Sequence, residues 1–217
     1  MRTVAFVSQK GGSGKSTIAS SVAVAAHQTN EKVCVIDMDP QGSLMNWARI
    51  RAAGDIEVLA SGAAGLPDLL AMLERRGVTL ALLDTPGAKG AASSAAMQVA
   101  DLNIVPSRPS LFDLWASART RTAIEEIGAK FVFLLNQCPP AQTARVLDGV
   151  EALEEMGGLI SPLILARVEY QDAARRGRGV TELNPSGGAA EEMRGLWRSV
   201  TARLAEAKVG RPARKAA

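Results

Sequence analysis

The chain has 217 residues, 47% of them apolar and 22% charged, with a formal net charge of +3. That is ample for one α/β domain with its own core and too apolar for a disordered protein, and no apolar run is long enough to span a bilayer. One histidine (His27) and two cysteines (Cys34 and Cys138) allow a histidine triad only through His27 and rule out a Cys/His zinc centre, leaving lysines, carboxylates, hydroxyls and backbone amides for chemistry.

In chain order, short apolar runs predict strands at Val4–Ser8, Val33–Asp37, Ile56–Ala60 (the weakest), Leu80–Asp84, Leu102–Pro106, Phe131–Asn136 and Leu163–Ala166. Helical patterns fill the gaps at Lys15–Gln28, Leu44–Arg51, Leu66–Arg76, Ala91–Ala100, Leu111–Ile127, Thr143–Glu155, Gln171–Arg176 and Ala189–Lys208. Such alternation predicts an α/β fold: a mostly parallel twisted sheet with helices on both faces. One domain is expected over 1–208, then a flexible basic tail over 209–217. The start, MRTVAFVSQKGG, reads as a strand entering a glycine loop rather than an export signal, so a cytoplasmic protein with reduced cysteines is expected.

The first strand runs into Gln9-Lys10-Gly11-Gly12-Ser13-Gly14-Lys15-Ser16-Thr17, and a helix follows at once. Glycines let backbone amides turn inward around phosphate oxygens, and the helix N-terminus adds partial positive charge. In this setting Lys15 reaches the β- and γ-phosphates and the Ser16 hydroxyl sits on Mg²⁺, which makes the fold a P-loop NTPase. Gly11, Gly12, Ser13, Gly14, Lys15, Ser16 and Thr17 are therefore the candidate ATP contacts. Farther along, Val33–Ile36 delivers Asp37-Met38-Asp39-Pro40-Gln41-Gly42 to the carboxyl end of the sheet, where α/β folds bind ligands. Leu80–Leu83 closes on Asp84, the pattern of an acid that holds Mg²⁺ through water, with no glutamate after it to act as base.

The loop departs from the general phosphate-loop pattern, with Gln9 where a glycine is usual and a second lysine, Lys10, just after it. The lysine pair resembles the deviant Walker A motif, K-G-G-x-G-K-[ST], of the ParA/MinD superfamily, and the chain looks closest to its short, ParF-like partition ATPases. Asp37-Met38-Asp39-Pro40-Gln41-Gly42 is similar to the family's D-x-D-P-Q-G stretch, and Val105–Ala116 to its V-P-x-x-P-S-x-x-D-x-W-A segment. Arg167–Ala173 and Gly179–Glu182 fit a further family region, so the likeness covers about residues 3 to 205. The resemblance implies that Lys10 reaches a partner subunit's nucleotide, making ATP the glue of a homodimer. It implies that Asp39 positions the attacking water, and that Asp37 lies near the Mg²⁺ shell beside Ser16 and Asp84. Val105–Ala116, with Asp113, would build part of the dimer face, although Pro109-Ser110 could simply start and cap a helix. Asn136 occupies a position that meets adenine in related folds, or else is a buried amide capping a loop.

Charge is unevenly spread. Residues 1–160 carry 14 Lys and Arg against 16 Asp and Glu, whereas residues 161–217 carry 11 against 6. A basic C-terminal quarter points to an anionic partner. The resemblance implies non-specific DNA, with Arg167, Arg175, Arg176, Arg178, Arg194 and Arg198 as candidate contacts and Arg211, Arg214 and Lys215 in the tail. It further implies slow ATP hydrolysis stimulated by a ParB- or ParG-like adaptor, nucleoid association, and segregation or positioning of a cargo. A MinD-like membrane ATPase is the rival, but the tail, with Pro212 and few bulky apolar side chains, does not suit lipid, so no membrane partner is expected.

Overall fold

The computed structural model describes residues 1–141 and 143–209. Six parallel strands form one sheet in the order β3-β2-β4-β1-β5-β6. They are β1 (Arg2–Phe6), β2 (Val33–Asp37), β3 (Glu57–Ala60), β4 (Leu80–Asp84), β5 (Leu102–Ser107) and β6 (Phe131–Leu135). Their side chains alternate between two cores. Val4, Phe6, Val33, Val35, Leu80, Leu82, Ile104 and Leu134 face one layer, whereas Ala5, Val7, Cys34, Ile36, Leu83, Val105, Phe133 and Leu135 face the other. Burial on both faces is why these strands read as continuous apolar runs rather than as alternating ones.

The first layer holds α1 (Lys15–His27), α2 (Ser43–Ile50), α7 (Val168–Arg175), α8 (Val180–Leu183) and α9 (Gly188–Val209). The second holds α3 (Leu66–Arg75), α4 (Ala91–Val99), α5 (Leu111–Glu126) and α6 (Ala144–Glu155). α1 is the innermost helix, with Ile18 through Ala26 all buried, and its small alanines and serines let it lie close against the sheet.

Three expectations are corrected. Leu163–Ala166 adds no strand to the sheet: it makes a single bridge, Cys138 with Leu165, just past the end of β6, where the Ile164 and Ala166 amides donate to the Leu135 and Cys138 carbonyls at 3.0 and 2.7 Å, while the Leu165 amide donates to the Glu192 carboxylate at 3.3 Å. α7 starts three residues before the expected Gln171, and α8 is a four-residue helix with no counterpart among the expected elements. α9 continues to Val209, one residue into the expected tail, and 210–217 lie outside the described residues.

Candidate active site

β1, β2 and β4 are adjacent, and their carboxyl ends place the glycine loop, Asp37 and Asp84 side by side, with Asp37 and Asp84 in register. The loop turns into α1 through Gly14, whose φ of +94° suits glycine. A Cβ there would also stand 2.3 Å from the Asn136 amide nitrogen. Asn136, at the end of β6, donates to the Ser13 carbonyl at 2.8 Å and accepts from the Gln137 N–H at 2.8 Å. Gln137, itself in a left-handed conformation (φ 55°), donates to the Gly12 carbonyl at 3.1 Å. Of the two readings open for Asn136, the loop-capping one is thus met directly, and the residue also borders a cavity beside the loop. Gln137, which shares with Asn136 the position expected to meet adenine or to cap a loop, thus holds the loop as well.

The two lysines point to different places. Lys15 is buried, and burial lowers its pKa below the ordinary lysine value, with Asp84 and Asp39 pulling the other way. Lys10 turns outward onto α5. Its ammonium donates to Asp113 Oδ2 at 2.6 Å, and Arg108 donates to Asp113 Oδ1 at 3.0 Å. Asp113 is only 2% exposed and also receives the Ser110 hydroxyl, while Ser110 caps the helix through the Asp113 N–H. Burial raises the Asp113 pKa, but the bonds from Arg108, Lys10 and Ser110 more than offset this and hold it low. The capping reading of Pro109-Ser110 is thus met, and Asp113 also pairs with the loop lysine. Leu111, Phe112 and Trp115 stand exposed around this pair, Phe112 and Trp115 in an edge-on contact.

The carboxylates also separate by role. Asp37 is buried and spends both oxygens on backbone: Oδ1 accepts from Asp39 N–H at 3.1 Å, and Oδ2 from Leu44 and Met45 N–H at 2.9 and 3.0 Å. It therefore caps α2. Asp39 is partly exposed, accepts from Gln41 N–H at 2.9 Å and borders the cavity over the phosphate loop. Asp84 is fully buried. Its Oδ2 accepts from the Ser16 hydroxyl at 2.6 Å, and its Oδ1 has no partner among the described residues, as also holds for the buried Ser13 hydroxyl. Burial pushes the Asp84 pKa up to about 7, opposed by the Ser16 bond and Lys15 and reinforced by Asp37 and Asp39.

A magnesium–polyphosphate group fits these residues. An unpartnered carboxylate oxygen beside a serine hydroxyl and a buried lysine are complementary to a hard cation and phosphate oxygens. Close packing keeps the cradle in shape: a Cβ on Gly87, three residues after Asp84, would meet the Gly11 backbone at 2.9 Å. A cavity of about 580 Å³ opens over the loop, lined by Gly11, Lys15, Ser16 and Asp39. A neighbouring one of about 350 Å³ lies against Asn136 and the start of α7. Their sizes suit a nucleotide-scale ligand.

The arginines expected at DNA lie on α7 and α9 and in the turn after α7. Arg194 and Arg198 lie exposed on α9, and Arg167 donates to Glu192 Oε1 at 2.7 Å. Arg167 and Arg198 border a common cavity of about 590 Å³. Arg175 ends α7, Arg176 and Arg178 sit in the turn after it, and Arg175 borders the cavity over the phosphate loop. Among the described residues no helix is long and apolar enough to cross a membrane.

Comparison with known proteins agrees with this geometry. The family model "CobQ/CobB/MinD/ParA nucleotide binding domain" matches residues 4–180. A maintenance of carboxysome distribution protein A from Gloeobacter kilaueensis is 32% identical over 216 residues, covering 98% of this chain and 92% of that protein. The chromosome-partitioning ATPase Soj of Thermus thermophilus is 25% identical, with 95% and 98% covered. A Cyanothece McdA variant solved with ATP superposes with a TM-score of 0.69 at 18% identity, covering 98% of each chain, a likeness of fold.

Proposed function

The chain belongs to the CobQ/CobB/MinD/ParA nucleotide-binding family, and from that premise we propose that it is a ParA-type positioning ATPase that dimerises on ATP. The observation that carries this reading is the divergence of the two loop lysines. Lys15 turns inward among Asp84 and Asp39, whereas Lys10 turns outward to Asp113 beside exposed Leu111, Phe112 and Trp115. A cation on an apolar-rimmed face, next to its own nucleotide cavity, is suited to reach a second subunit's phosphates.

In hydrolysis, Lys15 and the loop amides neutralise charge on the phosphates, while Asp39, partly exposed at the cavity edge, orients the attacking water. Mg²⁺, held by Ser16 and Asp84, would supply further charge neutralisation at the phosphate oxygens. The reaction relies on positioning, so a slow basal rate raised by a partner is expected.

The ATP-bound dimer binds DNA without sequence preference through its C-terminal arginines, resides on the nucleoid in the cytoplasm, and releases when a cargo adaptor stimulates hydrolysis. The names of the relatives supply two cargo classes, a chromosome and a carboxysome. The test is binding to random-sequence duplex with ATP. Six to ten phosphate contacts predict a loss of roughly 10³–10⁵ in affinity between 50 and 200 mM salt. Binding indifferent to salt or nucleotide refutes the DNA part, and co-sedimentation with anionic liposomes instead would favour a membrane partner.

A further inference from the structure

We propose that Arg175 is a nucleotide-binding residue, a cation supplied by α7 to the phosphate chain of a nucleotide in the same subunit. Among the described residues, Arg175, at the end of α7, borders the cavity that holds the phosphate loop, Lys15 and Asp39, whereas Arg176 and Arg178 in the following turn do not. The two cavities are ends of one trough, since Gly14, Thr17 and Gln137 line both. α7 forms a wall of that trough. Val168, Tyr170 and Gln171 border its smaller end, and Ala174 and Arg175 its larger. A nucleotide lying along the first turn of α1 would therefore pass beneath this helix, with Arg175 at the phosphate end.

The backbone that presents Arg175 is fixed. Gly177 packs so tightly on Ile50 and Arg51 that a Cβ would lie 2.5 Å from the Arg51 nitrogen. Arg51 donates to the Gly177 carbonyl at 3.0 Å, and Trp47 Nε1 to the Arg178 carbonyl at 3.3 Å. The side chain itself is not fixed: it is 77% exposed and is held by one partner, Asp172, three residues back on its own helix. A rigid mount with a loosely tethered guanidinium suits exchange of a carboxylate for a phosphate, which a planar guanidinium binds in two-point fashion. Arg176 and Arg178, exposed and outside the trough, remain free for an external anion.

This inference rests on the nucleotide-site reading, and the experiment separates the two. Fluorescent MANT-ADP is titrated into the full chain and into R175A, D172N and K15A, and the salt slope of DNA binding is measured at saturating ATP. R175A should weaken MANT-ADP binding about tenfold and leave the DNA slope unchanged. D172N, by removing the competing carboxylate, should tighten MANT-ADP binding two- to threefold, whereas a merely structural ion pair would not. Unchanged nucleotide affinity in R175A overturns the proposal. A DNA slope lower by about one in the same variant then assigns Arg175 to DNA instead. If K15A also binds like the parent, the nucleotide-site reading falls with it.

Discussion

Two buried charge clusters on the same face of the sheet behave in opposite ways. At the phosphate loop, Lys15 and Asp84 are buried with too few partners: the pKa of the lysine is lowered, that of the acid is raised to about 7, and Asp84 Oδ1 is orphaned among the described residues. Where α2 meets α8, Arg51 is as buried but fully satisfied. It makes paired bonds to Asp55 (2.8 and 2.8 Å) and to Glu182 (2.9 and 2.7 Å), donates to the Gly177 carbonyl and lies 5.3 Å over the Trp47 ring. Burial lowers the pKa of Arg51, but its partners outweigh that and raise it. One cluster is finished within the chain and holds it together. The other is complete only when a ligand of opposite chemistry arrives.

Substitutions at each cluster should therefore have opposite signatures. Lys15→Gln should abolish nucleotide binding, by at least a hundredfold in a MANT-nucleotide titration, while the nucleotide-free protein keeps or gains thermal stability. Arg51→Met should do the reverse, lowering stability by about 3 kcal/mol in urea unfolding, the low end for a broken buried pair because Asp55 and Glu182 are about a quarter exposed. Nucleotide affinity in Arg51→Met should change less than threefold.

Smaller effects come from pH. Asp84 binds its proton more tightly folded (about 7) than unfolded (3.8), so its contribution to the nucleotide-free protein is largest at low pH. That contribution declines as pH rises through about 7. Asp84→Asn should remove this decline from the stability profile and also weaken Mg²⁺-dependent ATP binding. Asp113 has the opposite sign: its lowered pKa stabilises the fold above about 3.8, and the benefit disappears as pH falls through its native value. Asp113→Asn should cost about 1 kcal/mol at pH 7, the upper end for a partly exposed pair, because Lys10 and Arg108 are about a third exposed.

The finished and unfinished clusters also differ in how legible they were. The phosphate loop, Asp39 and Asp84 carry their signal within a few residues, where glycine spacing or an apolar run closing on an acid has a direct physical meaning. The Lys10–Asp113, Asn136–Ser13 and Arg51–Glu182 contacts span 103, 123 and 131 residues, and no local pattern announces them. Likewise the apolar run at Leu163–Ala166 matched the strand pattern, yet it pairs through a single bridge just past the end of β6, an arrangement set by the folded chain. Arg175 was grouped with its basic neighbours because charge can be counted along the chain, whereas the cavity it borders is defined by α1, α2 and α7 together.

If the inward lysine binds nucleotide and the outward lysine joins two subunits, sedimentation velocity of Asp39→Ala with Mg²⁺ and ATP, with and without Lys10→Ala, separates the two roles. Asp39→Ala should sediment as a stable species of twice 22.7 kDa, and as a monomer when Lys10 is also replaced, with nucleotide affinity retained in both. A monomer in Asp39→Ala at saturating ATP, or a dimer that ignores the loss of Lys10, would contradict this division of roles.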